Sequence, residues 1–385
     1  MNYTLNHVEI RDAVSKLCLK FDGKYWQNCD KNNSYPTEFV NALTEAGYLS
    51  ALIPEEYGGL GLSLSVGVAI LEEIHKSGCN AAACHAQMYT MGTLLRHGSE
   101  DQKQKYLPEI AKGNLRLQAF GVTEPTSGSD TTSLKCNAVK KGDLYHINGQ
   151  KIWTSRAEHS DLLLLLARTT PKEKVTKRTD GLSVFIVDLN EVPKNTITIK
   201  PIRTMMNHST TEIFFDNLPV PKRNLIGEEG KGFKYILSGM NAERILIAAE
   251  CIGDAKWFIN KASKYSSERE IFGRPIGKNQ GIQFPIARSY SQMRAAELML
   301  NEATNLFDKG LNPGEEANLS KLLSADAQWA AAEACIQTFG GFGFAEEYDI
   351  ERKYREARLY QVAPISTNMI LSYIAEHVLK MPRSY

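Results

Sequence analysis

Apolar side chains recur every three to four residues through the first part of the chain. Val8, Val14, Leu17 and Phe21 predict one amphipathic helix, Pro36 to Leu49 a second, and Ser65 to Ser77 and Ala81 to His97 two more. The glycine cluster Pro54-Glu-Glu-Tyr-Gly-Gly-Leu-Gly61 interrupts them and reads as an interhelix turn, because no strand precedes it and a third phosphate-loop glycine is missing. The period then falls to two. Leu134 to Lys140, Asp143 to Ile152, Leu162 to Arg168, Leu182 to Asp188, Thr196 to Ile202 and Thr211 to Asp216 predict short strands, with Asn148-Gly149 as a tight-turn signal. From Gly230 the helical period returns in long segments: Gly232 to about Tyr265, Gln280 to Lys309, Gly314 to Phe339, and a last helix after Pro364.

Helices, then strands without intervening helices, then helices again predict an α+β chain of three parts. These are an N-terminal α-helical domain over 1–117, a middle antiparallel β-barrel or sandwich over 118–228, and a C-terminal four-helix bundle over 229–385. A formal net charge of +1, with 43% hydrophobic and 23% charged residues, describes a globular chain whose overall field does not draw it to nucleic acid or to an anionic membrane. The seven scattered cysteines include no Cys-x-x-Cys, which fits free thiols in a reducing compartment, and no metal-ligand spacing is visible. The first residues lack the regions of a signal peptide, and Leu162 to Ala167, the longest apolar run, is too short to span a bilayer. A cytoplasmic protein is expected.

Candidate chemistry begins at Glu243. Ile236, Met240, Ile247 and Cys251 form one helical stripe, and Glu243 falls on it, so its carboxylate is expected to face inward. Burial disfavours the charged form and would raise its pKa toward the range of a general base. The structural alternative is an ion pair with Arg244, or a place at the stripe's wet edge. In the β part, Gly121-Val-Thr-Glu-Pro-Thr-Ser-Gly-Ser-Asp-Thr-Thr-Ser133 offers hydroxyls at Thr123, Ser127 and Ser129 beside the unhindered backbone of Gly128, able to bind a polar ring or a pyrophosphate. Lys151-Ile-Trp-Thr-Ser155 places an aromatic side chain next to further hydroxyls; a loop and a packing tryptophan are the structural alternatives for these two segments.

Together these residues resemble the acyl-CoA dehydrogenases. Residues 121–133 match the family's first signature, and Gln337-x-x-Gly-Gly-x-Gly-Phe-x-x-Glu347, followed by Arg352 and Glu356, matches the second; Pro54 to Gly59 and Arg269-x-x-Phe-Gly273 extend the likeness. The resemblance implies FAD-dependent α,β-dehydrogenation of an acyl-CoA thioester to the trans-2-enoyl-CoA. It implies that the Phe120, Val122 and Thr123 backbone and the Thr123 hydroxyl meet the flavin ring, that Gly128 and Ser129 meet the pyrophosphate, that Trp153 flanks the ring and that Ser155 lies near N5. Arg269, Phe272, Gln337 and Gly341 would bind the FAD of a neighbouring subunit, which implies a homotetramer built as a dimer of dimers. Ser366 and Asn368 match flavin-contacting positions of the last loop. Ser129, Arg244, Ala363 and Pro364 fall at substrate positions, and an electron-transferring flavoprotein is the implied acceptor.

Two departures matter. Most members carry the catalytic Glu in the loop before the last helix, where this chain has Pro364; isovaleryl-CoA and long-chain members carry it on the helix that here holds Asn241-Ala-Glu-Arg244, so the resemblance makes Glu243 the base. In the family, the backbone N–H at the Pro364 position donates to the thioester carbonyl, and proline has none. Either the Ile365 N–H takes over through a shifted loop, or the enzyme is slow, or its substrate is polarised differently. A relative that reduces an enoyl-CoA or uses oxygen, or a catalytically idle flavin- and acyl-CoA-binding homologue, remains the alternative function.

Overall fold

The structure, a computed structural model, describes residues 7–384; the first six residues, used above in looking for a signal peptide, lie outside the described residues. In chain order the elements are α1 (Val8–Cys18), α2 (Gly23–Lys31), α3 (Thr37–Glu45), α4 (Leu64–Lys76), α5 (Ala86–His97) and α6 (Glu100–Lys112). Strands β1 (Ala119–Gly121), β2 (Asn137–Lys141), β3 (Leu144–Ser155), β4 (Leu162–Arg168), β5 (Leu182–Asp188), β6 (Ile197–Pro201), β7 (Thr210–Pro221) and β8 (Leu225–Ile226) follow. Then come α7 (Gly232–Glu268), a hairpin of β9 (Glu270–Ile271) and β10 (Arg274–Pro275), α8 (Gln280–Asp308), α9 (Gly314–Phe339), α10 (Ile350–Arg358) and α11 (Thr367–Tyr373). They form two compact units, one of residues 1–32, 63–81 and 241–385, the other of residues 33–62 and 82–240.

The β-rich unit is built on one sheet in the order β6-β7-β3-β2-β4-β5-β8. Its pairings are antiparallel as expected, with two exceptions: β1 and β2 both run parallel to β4. Strands β4 and β5 are buried along their whole length, which explains their unbroken apolar runs. Tyr145, Ile147, Leu163, Leu165, Phe185, Ile213 and Phe215 fill the core against them.

Asn148-Gly149 corrects an expectation. The hairpin turns at Gly142-Asp143, between the paired Lys141 and Leu144, whereas Asn148 and Gly149 lie inside β3 at a register shift against β7. Gly149 has φ +142°, and a Cβ there would stand 2.7 Å from the Cys136 Cα, so its glycine serves a bulge and a close backbone approach.

In the helical unit, α1 packs on α4 and α8 on α9. Its interior is unusually polar. Asp254 of α7 accepts from Gln328 at 2.7 Å, meets His75 Nδ1 at 3.0 Å and pairs with Lys353, all of them buried. Burial alone would push the Asp254 carboxyl up, but the charges of Lys353 and His75 hold it at about 2. The expected last helix is present, and α10, which the apolar pattern did not predict, precedes it. Among the described residues no helix is long and apolar enough to cross a membrane, and the seven cysteines are buried and form no disulfide.

Candidate active site

In the β-rich unit, residues 120–124 and 151–155 are held together by their backbones. Ile152 N–H donates to the Thr123 carbonyl at 2.9 Å, and the fully buried Lys151 donates to the Val122 carbonyl and to Glu124 Oε1, each at 2.9 Å. Glu124 also accepts from the N–H groups of Lys135 and Cys136, at 2.6 and 2.9 Å, so this one ion pair ties three segments. A second register shift in β3, between Lys151 and Thr154, coincides with Trp153 at φ +61°. The bulge turns the Trp153 side chain outward, where it is 57% exposed.

The hydroxyls of Thr123, Ser129 and Ser155 have no partner among the described residues, and a Cβ on Gly128 would meet nothing within 4 Å. Ser127 differs from the expectation: it is buried and donates to the Asp130 carbonyl at 2.6 Å, so it shapes the turn. An exposed indole beside free hydroxyls and an open glycine backbone suits a flat polar ring with a phosphate tail. The residues fit a flavin nucleotide.

In the helical unit, Glu243 is 5% exposed and faces inward, as its place on the stripe requires. One and two turns further along α7, Ile247 and Cys251 pack with Ala325 and Tyr360. Arg244 donates to Asn241 Oδ1 at 2.9 Å; burial pulls its guanidinium below the ordinary value, while the charges of Glu243 and Tyr373 pull the other way. Lys321 of α9, fully buried, was not singled out by its sequence. Its Nζ donates to the carbonyls of Tyr360 at 2.6 Å and Ile365 at 2.8 Å, clamping the loop that carries Ala363 and the exposed Pro364. Burial lowers the pKa of this ammonium, and the Glu243 carboxylate is among the groups acting to raise it. Tyr360 is further fixed by its hydroxyl, which donates to the buried Glu250 at 2.6 Å.

The Ile365 N–H has no partner among the described residues. Ser366 caps α11 by accepting from the Met369 N–H at 3.4 Å, and Asn368 is exposed in its first turn. Arg269 lies over the Phe342 ring at 5.5 Å, Phe272 at the hairpin tip is 98% exposed with φ +55°, and Gln337 and Gly341 are exposed at and just beyond the end of α9.

A helical chain interrupted by a β-sheet domain that presents an exposed indole beside unpartnered hydroxyls suits a flavin-binding protein. The comparisons make it specific: the N-terminal, middle and C-terminal domains of the acyl-CoA dehydrogenase family match residues 4–114, 119–218 and 230–379, and the chain belongs to that family. It is 34% identical over 365 residues to an acyl-CoA dehydrogenase of Bacillus subtilis (strain 168), covering 94% of this chain and 95% of the relative. It is 32% identical over 382 residues to a 3-(aryl)acrylate reductase of Clostridium sporogenes (strain ATCC 15579), covering 99% and 100%. Among solved structures, a glutaryl-coenzyme A dehydrogenase in complex with glutaryl-CoA superposes with a TM-score of 0.92 at 30% identity, over 100% of this chain and 98% of that one. The three-domain fold and membership of an FAD-dependent family of CH–CH oxidoreductases acting on acyl-CoA follow.

Proposed function

We propose that the chain dehydrogenates an acyl-CoA thioester between Cα and Cβ, with Glu243 as the base. The observation that carries this reading is a buried carboxylate on α7 in a chain whose loop has Pro364 where other members carry the base. Glu243 takes the α-proton, and the enolate-like oxygen that develops needs fixed donors. The free Ile365 N–H is one such donor, held in place by Lys321 through the next peptide. A bound flavin would be held by the Phe120, Val122 and Thr123 backbone and the Thr123 hydroxyl, with Trp153 and Ser155 beside its ring and Gly128 and Ser129 available to its pyrophosphate. When bound, the flavin supplies the acceptor for the hydride that leaves Cβ. Arg244, Ser129, Ala363 and Pro364 border the substrate, Ala363 leaving room near Cα and Cβ; Ser366 and Asn368 complete the cofactor site.

The exposed Phe272, with Arg269, Gln337 and Gly341, supports a homotetramer in which each subunit touches its neighbour's FAD. The domain limits 1–117, 118–228 and 229–385 and an electron-transferring flavoprotein as acceptor belong to the same reading. The buried cysteines, none of them in a disulfide, support a cytoplasmic location.

The test is anaerobic bleaching of the flavin band by an acyl-CoA panel. Glu243→Gln is expected to keep FAD and lose bleaching; bleaching that persists moves the base elsewhere. A second reading runs the chemistry toward reduction, supported by the likeness to the acrylate reductase. Faster oxidation of the reduced flavin by an enoyl-CoA than bleaching by the saturated thioester would favour it.

A further inference from the structure

Arg156 follows Ser155 directly, and its backbone N–H donates to the Ser209 carbonyl at 2.7 Å, which extends the β3–β7 pairing by one residue. It is 4% exposed. Its guanidinium makes no ion pair among the described residues: Nη1 donates to the Ala82 carbonyl and lies 3.4 Å from His208 Nε2, while Nε is buried without a partner. The backbone has φ +62°, a conformation that costs energy in a residue with a long side chain. His208 does not balance the charge. Burial and the positive charges of Arg156 and His85 hold its imidazole well below the ordinary value, and no carboxylate is among the groups acting on it.

Burying an unpaired cation is costly, and a neutral glutamine could hold a carbonyl without that cost. The charge therefore needs a reason of its own. Arg156, Ala82 and His208 belong to the β-rich unit, as do Thr123, Ser129, Trp153 and Ser155 of the flavin site. Two-electron reduction by a hydride leaves one extra negative charge at that site, and a fixed opposite charge nearby favours the charged state. In a dry surrounding such a charge is felt over several ångströms without contact.

We propose that Arg156 is the counter-charge of the flavin site: its guanidinium favours the reduced, anionic cofactor over the oxidised, neutral one and raises the reduction potential of the bound FAD. This rests on the placement of FAD at residues 120–129 and 153–155 and is independent of Glu243.

The test compares the FAD-loaded parent enzyme with Arg156→Met, Arg156→Lys, His208→Glu and His208→Gln. The midpoint potential is measured anaerobically against a reference dye. The affinity for sulfite, which adds to the flavin ring and makes it negative, is read from the loss of flavin absorbance. Arg156→Met is expected to lower the potential by about 30 mV or more, a tenfold change in the two-electron equilibrium, and to weaken sulfite binding about tenfold. Arg156→Lys should keep most of both. His208→Glu leaves Arg156 in place but sets a carboxylate beside Nη1, so it should lower both readouts as Arg156→Met does, whereas His208→Gln should not. That pair decides the matter if Arg156→Met does not fold. An unchanged potential in Arg156→Met or in His208→Glu would make Arg156 a packing residue that holds the Ala82 carbonyl and overturn the proposal. So would a potential in Arg156→Lys as low as that in Arg156→Met, because charge would then not be the cause. Failure of the flavin placement shows separately, as Trp153 fluorescence, taken by difference from Trp153→Phe, that bound FAD does not quench.

Discussion

Lys321 Nζ donates to the Ile365 carbonyl at 2.8 Å while the N–H of the same residue stays without a partner. With the second bond to the Tyr360 carbonyl, one buried ammonium holds both ends of the loop around Pro364. Lys321→Met is therefore expected to slow anaerobic flavin reduction by about a hundredfold, the scale of a displaced transition-state donor, while FAD stays bound. Lys321→Arg, which can still donate to both carbonyls, should recover part of the rate and return the pH profile toward that of the parent enzyme. An unchanged rate in Lys321→Met would separate the loop clamp from the chemistry.

The Asp254 cluster gives a pH dependence of stability. Its carboxyl drops from an ordinary 3.8 to about 2 in the folded chain, so the stabilisation is complete above about 4 and is lost as the pH falls through 3.8 toward 2. Nearly two pK units in a fully buried group correspond to on the order of 2 kcal/mol. Asp254→Asn should therefore be less stable than the parent near neutrality, with the gap closing in urea titrations run between pH 4 and pH 2. A gap that stays constant over that range would assign the loss to packing instead.

Lys151 ties residues 120–124 to β3 through Val122 and Glu124. Lys151→Met leaves the Glu124 carboxylate buried and unpaired, which typically costs about 3–5 kcal/mol. The variant should show both a lower denaturation midpoint and a lower ratio of flavin to protein absorbance. Adding Glu124→Gln removes the stranded charge and should restore part of the stability. Full FAD occupancy in Lys151→Met would show that the Val122 carbonyl needs no clamp.

Much of the fold was legible because burial follows periodicity. The limits of β4, β5 and α9 are those the apolar pattern marks, and Glu243 is buried as its stripe predicts. What stayed hidden is polar burial. In Ile350–Arg358 the residues Arg352, Lys353 and Glu356 are buried as ion pairs, so an apolar count sees only a charged segment and α10 goes unpredicted. For the same reason the pattern singles out neither the Lys321 nor the Lys151 side chain, although both are fully buried. Ser127 looked like a ligand hydroxyl because composition cannot tell a free hydroxyl from one already spent on a turn.

Gly149 shows the same limit in the backbone and carries the last prediction. Asn-Gly signals a hairpin turn because both residues tolerate positive φ, but a bulge uses that tolerance equally well. Here φ is +142° and the missing Cβ leaves 2.7 Å to the Cys136 Cα, a backbone atom that cannot rotate away. Gly149→Ala should therefore destabilise the chain by about 1–3 kcal/mol through backbone strain. Gly142→Ala in the hairpin turn has φ +60° but nothing within 4 Å of its new Cβ, so it should cost less. Parallel urea titrations of the two variants compare them, and equal losses would mean that crowding against Cys136 contributes nothing beyond the dihedral.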